Sequence, residues 1–234
     1  MKKIVANDKF ELSNILSSMI IGCVTQEKVS NLCLTIGQTP LLAYEELKKI
    51  KCKKELFKNT YFYNYDELEV DGVGLSMREM KEVILNYLIS DESQICPLTF
   101  HNYKQYDALI EKAGGIDLMV IGLGEDGHFS GNMPNMKRLD NPTHKVFKKP
   151  NEPWYGNLCK ELKITDFDYF VAMGVESIFK VKKIIVVAFG ENKAIAVHDL
   201  LTKPISTAYP STILRLHPNM VLLIDKDATA KESS

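Results

Sequence analysis

The stretch IDLMVIGLGEDGH, residues 116–128, decides the fold class of this chain. Residues 116–121 are mostly apolar and predict a buried strand, because a short apolar run bounded by a turn is typical of a sheet interior. The turn that follows spells G-x-G-x-x-G at residues 122–127, a pattern also found where a strand leads into a dinucleotide-binding helix. The same turn carries Asp126 and His128, so two interpretations are open, a cofactor cradle and an acid/base site.

The residues around the turn argue against a bound cofactor. A dinucleotide motif needs a helix that begins at its glycines, whereas Gly131 and Pro134 follow closely and disfavour a helix. Glu125 and Asp126 would also place negative charge against a pyrophosphate. A carboxylate beside an imidazole can instead fix its tautomer and raise its basicity. We therefore predict no cofactor, and we predict that Asp126 and His128 are catalytic.

Apolar runs alternate with helical patterns along the rest of the chain. Strands are predicted at residues 3–6, 32–35, 61–65, 116–121, 183–189 and 220–224, and helices at residues 10–23, 40–50, 76–89, 103–113 and 192–201. This alternation predicts an α/β fold, a mostly parallel open sheet with helices on both faces, Rossmann-like. Because open parallel sheets bind ligands at the carboxyl ends of their strands, the loops that follow strands are the candidate site.

Length and composition narrow the function classes. The 234 residues suit a single domain, residues 1–234, with an irregular, lid-like excursion at residues 135–167. Lys and Arg number 29 against 30 for Asp and Glu, which argues against binding to nucleic acid or to a membrane surface. Five widely spaced cysteines without a C-x-x-C pair indicate reduced thiols, and the N-terminus does not resemble a signal peptide, so we expect a cytoplasmic protein. No residue cluster has metal-ligand spacing, so no metal is predicted.

The turn TIGQTP, residues 35–40, joins a predicted strand to a predicted helix. Thr39 suits the N-cap position and Pro40 suits the first helical position. The backbone N–H groups at a helix start, with a hydroxyl beside them, form a natural phosphate site, but an ordinary capped helix has the same sequence. No G-K-[ST] follows, so the turn is not a Walker A loop.

The stretch YNYDE, residues 63–67, places two acids at the end of an aromatic strand. In a strand, Asp66 and Glu67 point to opposite faces, so only one of them is expected to face the site. An acid there can act as a general base, because apolar neighbours raise a carboxylate pKa. The alternative is a solvated acidic loop.

With these motifs in order, the chain resembles the glucosamine-6-phosphate deaminase and 6-phosphogluconolactonase superfamily over nearly its whole length. The matching stretches are GQTP, YNYDE, IDLMVIGLGEDGH, AMGVESI before KIIVVAFGENKAIAV, and STILRLHPNMVLLIDKDA. The ending GNMP, residues 131–134, is similar to a subgroup of uncharacterised sugar-phosphate isomerases. The resemblance implies that the phosphate of a sugar phosphate binds to the turn of Gly37, Gln38 and Thr39. Lys193, in GENKA, would be the phosphate-binding lysine.

The resemblance also implies catalytic roles. In the deaminases, the acid that matches Asp66 moves a proton between C1 and C2 of the opened sugar. The histidine that matches His128 helps to open the ring, with support from the acid that matches Asp126. In the lactonases, the matching histidine acts as the base on the water that attacks the lactone carbonyl.

Two positions depart from the family pattern. Deaminases have a glutamate where this chain has Met133, and at Leu68 lactonases have an arginine and deaminases a tyrosine. Glu67, Asn132 and Met133 are candidate substrate contacts.

Three functions follow from these patterns. The leading hypothesis is an aldose–ketose isomerase or deaminase that acts on a hexose or hexosamine 6-phosphate in carbohydrate metabolism. The alternatives are a 6-phosphogluconolactonase-type hydrolase and a non-catalytic sugar-phosphate sensor. The expected partner is a small-molecule sugar phosphate, and a homo-oligomer is one assembly that the sequence leaves open.

Overall fold

The computed structural model describes residues 1–26 and 29–231 of the chain. In these ranges the strands are β1 (Lys2–Ala6), β2 (Ser30–Cys33), β3 (Thr60–Tyr63), β4 (Asp66–Glu67), β5 (Glu69–Val70), β6 (Val73–Gly74), β7 (Ile95–Cys96), β8 (Leu118–Gly122), β9 (His144–Phe147), β10 (Tyr169–Ala172), β11 (Ile184–Ala188) and β12 (Met220–Asp225). The helices are α1 (Lys9–Gln26), α2 (Gln38–Lys49), α3 (Lys53–Leu56), α4 (Leu75–Met80), α5 (Asn86–Leu88), α6 (Tyr106–Lys112), α7 (Pro153–Leu162), α8 (Val175–Phe179) and α9 (Ala194–Thr202). A π-helical turn, Lys81–Leu85, joins α4 to α5, and short 3-10 helices lie at Glu92–Gln94, Glu191–Lys193, Pro210–Leu216 and Asp227–Thr229. None of the helices described is both long enough and apolar enough to cross a membrane.

The largest sheet in the described ranges has seven strands in the order β1-β12-β11-β8-β2-β3-β7. Every adjacent pair in it runs parallel. From β2 the chain proceeds through β3 to β7 at one edge, and from β8 it proceeds through β11 to β12 in the opposite direction. The strand order therefore reverses between β2 and β8, which is where open α/β sheets form their ligand crevice.

The apolar run in β8 explains why both faces of this sheet are covered. Leu118, Met119, Val120 and Ile121 are all buried, and successive side chains of a strand point to opposite faces. Leu118 and Val120 pack in a core with residues of α1, α2 and α4, whereas Met119 and Ile121 pack in a core with residues of α6, α8 and α9. The predicted parallel α/β sheet with helices on both faces is confirmed.

The six predicted strands all lie in this sheet, and their observed ends differ from the predicted ends by no more than two residues. The seventh strand, β7, is only two residues long and was not predicted, because two residues show no periodicity. The sequence also does not predict the second sheet of the chain, which is antiparallel and has the order β4-β10-β9.

The segment 135–167 is more regular than the predicted excursion, because it contains β9 and α7. It packs in an apolar cluster, here called the side core, together with residues that precede and follow it. The buried members of the side core are Leu68, Met133, Val146, Trp154, Cys159, Phe167, Phe170 and Ala172.

The two sheets meet at the carboxyl end of β3. Asp66 of β4 pairs with Ala172 of β10, and the backbone N–H of Met173 donates a hydrogen bond to the carbonyl oxygen of Tyr65 at 2.7 Å. The chain thus leaves the parallel sheet after Tyr63 and enters the antiparallel sheet at Asp66. This junction fixes Asp66 next to the predicted ligand crevice.

Candidate active site

The loop that follows β8 holds an acid and a histidine in direct contact. The Nδ1 atom of His128 lies 2.6 Å from Oδ1 of Asp126, and the same oxygen accepts the backbone N–H of His128 at 3.0 Å. The side chains of His128 and Asp126 are 37% and 42% exposed. Burial raises the pKa of Asp126, but the hydrogen bonds and charge of His128 outweigh it, so the pKa lies below that of an ordinary Asp. The pair is an accessible imidazole oriented by an ionised carboxylate.

Two glycines of the motif make this pair possible. A Cβ atom on Gly124 would clash with the imidazole of His128, whose Cγ would lie only 2.8 Å away. Gly127 has a φ of +80°, in the left-handed region that favours glycine. A Cβ on Gly122, by contrast, would meet nothing within 4 Å. The second and third glycines of G-x-G-x-x-G therefore shape an acid/base turn.

The segment after the turn does not form the helix that a dinucleotide site requires. Phe129 and Asn132 form an isolated antiparallel bridge, and no helix begins between β8 and β9. Ser130 has a φ of +50°, which is incompatible with a continuing helix. The glycines of this turn therefore do not lead into a helix whose N-terminus could face a pyrophosphate.

Asp66 lies beside this loop. The Ser130 hydroxyl donates to the carbonyl oxygen of Tyr65 at 3.3 Å, which brings the segment after His128 against the residue before Asp66. Burial, and then the negative charge of Asp66, raises the pKa of the Cys33 thiol at the end of β2. Asp66 is therefore within electrostatic reach of the strand that borders β8 at the crevice.

Glu67 points away from this site, as strand alternation requires of one acid in the pair. Its side chain is 2% exposed, and its two oxygens accept the backbone N–H groups of Ser76 at 2.7 Å and Met77 at 3.0 Å. Burial raises the pKa of Glu67, while those N–H groups lower it. Glu67 binds the first turn of α4, and the predicted substrate contact lies in the protein interior.

Asn64, which the sequence did not single out, arranges the two acids. Its side-chain amide donates to the carbonyl oxygen of Asp66 at 2.9 Å and to the carboxylate of Glu67 at 3.2 Å. Its Oδ1 accepts the backbone N–H of Leu98 at 2.8 Å. An asparagine between two aromatic residues at a strand end was the available signal, because a buried amide there needs several partners.

The helix after the candidate phosphate turn begins two residues earlier than predicted. Helix α2 starts at Gln38 and its N-cap is Gly37, so Thr39 is its second residue and Pro40 its third. The φ of Gly37 is +110°, which bends the chain out of β2 sharply enough for the helix to start at once. The N-cap prediction for Thr39 is wrong for this reason. Gln38 and Thr39 still lie in the first turn, where backbone N–H groups have no acceptor within the helix.

A second loop brings Lys193 to the same edge of the sheet. Lys193 ends the 3-10 helix that follows β11, and β11 is the neighbour of β8. The Asn192 amide donates to Oε1 of Glu125 at 2.7 Å, which joins this loop to the turn that carries His128. The buried carboxylate of Asp225 accepts the backbone N–H of Gly190 at 3.0 Å and so ties the start of this loop to the end of β12. Asp225 was not predicted, because its partner lies 35 residues away in sequence.

Asn132 and Met133 are buried, with exposures of 1% and 5%. The Asn132 amide donates to the carbonyl oxygens of Phe129 at 3.2 Å and Met173 at 3.3 Å, so it secures the backbone of its own turn. Met133 packs in the side core. The structure therefore places both predicted substrate contacts in the interior. No three His, Cys, Asp or Glu side chains of the described residues could hold a metal ion together.

Comparison with known proteins identifies the family. The family described as "Glucosamine-6-phosphate isomerases/6-phosphogluconolactonase" matches residues 10–222. This chain belongs to that family. A glucosamine-6-phosphate deaminase from Clostridium botulinum is 31% identical, with 99% of this chain and 98% of the relative covered.

Solved structures agree with the assignment. A monomeric glucosamine-6-phosphate deaminase superposes with a TM-score of 0.87 at 25% identity, covering 98% of this chain and 99% of its own. A 6-phosphogluconolactonase from Trypanosoma brucei shares the fold, with a TM-score of 0.74 at 20% identity and 97% of each chain covered.

The two positions at which this chain departs from the family pattern lie in one place. Leu68 and Met133 are distant in sequence, but both are buried in the side core, with exposures of 4% and 5%. A charged residue at either position would be buried among aromatic rings. Both positions are therefore apolar and share one buried cluster in this family member.

Proposed function

We propose that this chain is a sugar-phosphate isomerase and deaminase that acts on a hexosamine 6-phosphate. The observation that carries the proposal is the exposed Asp126–His128 pair, 2.6 Å apart, on the loop after β8 at the reversal of strand order. The substrate class, a hexosamine 6-phosphate, follows from the family description and from the names of the deaminase relatives.

His128 and Asp66 would act in successive stages of the reaction. His128, oriented by Asp126, would open the sugar ring by moving a proton from the C1 hydroxyl to the ring oxygen. Asp66 would then take the proton from C2 and return it to C1, because one base must reach both carbons. The C2 imine that results adds water and loses ammonia, which leaves a 2-ketose 6-phosphate. A substrate without the amine would give the same ketose through an enediol.

The phosphate would bind at the same edge of the sheet. Gln38 and Thr39 present the first-turn N–H groups of α2, and a helix start favours an anion. Gly37 supplies the bend, and Lys193 on the loop after β11 would add a positive charge. The ends of β2 and β11 flank β8, so they are about 10 Å apart at a strand spacing of about 4.8 Å.

A lactonase is the second candidate, and Met133 is the observation that favours it. A deaminase carries a glutamate at this position, and here the side chain is apolar and buried in the side core. A lactonase needs only a base for water, which His128 with Asp126 would supply. In either case we expect a cytoplasmic enzyme whose partner is a small sugar phosphate. Association into oligomers stays a prediction, and the solved deaminase relative is described as monomeric.

A substrate panel separates the candidates. Purified protein and its Asp66→Asn variant are given glucosamine 6-phosphate, glucose 6-phosphate or 6-phosphogluconolactone in turn. Release of ammonium and ketose from the first sugar, lost in the variant, is the expected result. Lactone hydrolysis above the spontaneous rate, without ammonium, would replace the proposal by the second candidate. Binding of the phosphates without any turnover would indicate a sensor.

A further inference from the structure

One buried hydroxyl lies beneath the turn of Asp126 and His128 and is not used by the chemistry above. Ser211 is 1% exposed and opens the stretch STILRLHP, in the 3-10 helix Pro210–Leu216. Its backbone N–H donates to the carbonyl oxygen of Gly127 at 3.2 Å. Its Oγ lies 3.4 Å from the position that a Cβ on Gly127 would take. Ser211 therefore touches the residue between the two members of the acid/base pair.

The Ser211 hydroxyl differs from that of its neighbour. Thr212 is also buried, and its hydroxyl donates to the carbonyl oxygen of Tyr209 at 2.6 Å. The Ser211 hydroxyl, in contrast, has no hydrogen-bond partner among residues 1–26 and 29–231. A buried hydroxyl without a partner is costly, and the majority of such groups in folded proteins are paired. Since alanine would fill nearly the same space, packing alone does not account for a serine here.

Gly127 is the part of the turn that faces this hydroxyl. It has no side chain, so its peptide groups are the polar atoms that it presents to Ser211. Its carbonyl oxygen already accepts the Ser211 backbone N–H and has a second lone pair. A shift of the turn toward Ser211 would let the same oxygen accept the hydroxyl as well.

We propose that Ser211 is a positioning residue whose hydroxyl bonds the Gly127 carbonyl oxygen as the ring of a bound sugar phosphate opens. The added bond fixes the turn from Asp126 to His128 in the geometry that ring opening needs. This inference rests on the proposed function, because it concerns the bound state of that same site.

The test is the Ser211→Ala variant, with Thr212→Val as the matched control. In the free protein the Ser211 hydroxyl bonds none of the described residues, so S211A is expected to melt at or above the temperature of the wild type. In turnover of glucosamine 6-phosphate, kcat is expected to fall about tenfold while KM changes less than about twofold. T212V removes a bond that exists in the free protein, so it should lower the melting temperature. Ser211→Cys replaces the hydroxyl by a weak donor and should resemble S211A in kcat.

The outcomes separate the two proposals. Wild-type kcat in S211A, while Asp66→Asn is inactive, would overturn the role of Ser211 and leave the proposed function intact. A melting temperature lowered in S211A as much as in T212V would also overturn it, because the hydroxyl would then be bonded in the free protein. If the wild type turns over none of the sugar phosphates, the proposed function fails and the role of Ser211 fails with it.

Discussion

The two halves of residues 122–133 differ sharply although they form one motif in the sequence. In the first half, Asp126 and His128 are more than a third exposed and bond each other. In the second half, Phe129, Asn132 and Met133 are buried: Phe129 packs in the core beside α6, α8 and α9, the Asn132 amide bonds backbone carbonyl oxygens, and Met133 packs in the side core. One half is an acid/base turn and the other is the anchor that holds it.

The difference explains how an apolar Met133 fits this motif. The anchor is fixed by close packing, since a Cβ on Gly131 would lie 2.8 Å from Val146 and would also clash with Ala172. Ser130 adds a hydrogen bond to the carbonyl oxygen of Tyr65 at 3.3 Å. An anchor of this kind needs shape complementarity and no charge. The apolar side chain of Met133 suits such an anchor.

The adjacent acids Asp66 and Glu67 offer the strongest test of this contrast. Asp66→Asn is expected to lower kcat by about 100-fold to 10,000-fold, because it removes the proposed general base, and to leave stability nearly unchanged. Glu67→Gln is expected to do the reverse, because an amide N–H would face a backbone donor of α4 and cost about 1–3 kcal/mol of unfolding free energy. Kinetics and urea unfolding of both variants measure this. Activity lost equally in both folded variants would place Glu67 in the site.

A carboxylate at Met133 would break the anchor. Met133→Glu buries a charge in the side core and is expected to lower the unfolding free energy by about 3 kcal/mol. Met133→Leu conserves the volume and should cost less than about 1.5 kcal/mol. Urea unfolding gives both values. A stable M133E protein with faster ammonia release would show that position 133 faces the substrate after all.

The first two glycines of the motif form a matched pair for testing the turn. Gly124→Ala would push the His128 ring out of place, and kcat is expected to fall by about 10-fold to 100-fold. Gly122→Ala meets open space, so its kinetics and melting temperature should match the wild type. Equal kinetics in G124A and G122A would mean that the position of the His128 ring does not limit the reaction.

The smallest expected effect is the pH dependence of the pair. The pKa of Asp126 is lowered in the folded protein, so its contribution to stability is present above the ordinary Asp pKa and is lost as the pH falls through its folded pKa. Because the side chain is 42% exposed, Asp126→Asn should cost less than about 1 kcal/mol near neutral pH and nothing in acid. Glu67, whose pKa is raised, contributes with the opposite sign, so its stabilisation is lost as the pH rises through its folded pKa.

Urea unfolding at a series of pH values, for the wild type and D126N, measures the Asp126 contribution. A cost for D126N that grows in acid would contradict the direction given for Asp126.

The sequence predicted what is local. The Asp126–His128 contact could be foreseen because two residues separated by one glycine meet across a tight turn. The parallel sheet could be foreseen because its strands are long apolar runs. Strand alternation also predicted that Asp66 and Glu67 point to opposite faces, although it does not say which of them is the buried one that bonds α4.

What the sequence could not give depends on contacts between distant segments. Asp225 at the end of β12 accepts the backbone N–H of Gly190, which follows the neighbouring strand β11. Neither residue lies in a local sequence pattern that predicts this contact. Leu68 and Met133 share the side core only because β4 and β9 flank β10. In segment 135–167, the prolines predicted irregular structure and no helix. Pro153 is nevertheless the first residue of α7, a position that proline favours.

The release of ammonium and ketose from glucosamine 6-phosphate by the wild type and by His128→Asn tests the central claim most directly. We expect the wild type to release equimolar ammonium and 2-ketose 6-phosphate. We expect H128N to be slower by about 100-fold or more, with an unchanged fold. Equal rates in the two proteins, or no ammonium from the wild type while 6-phosphogluconolactone is hydrolysed, would contradict it.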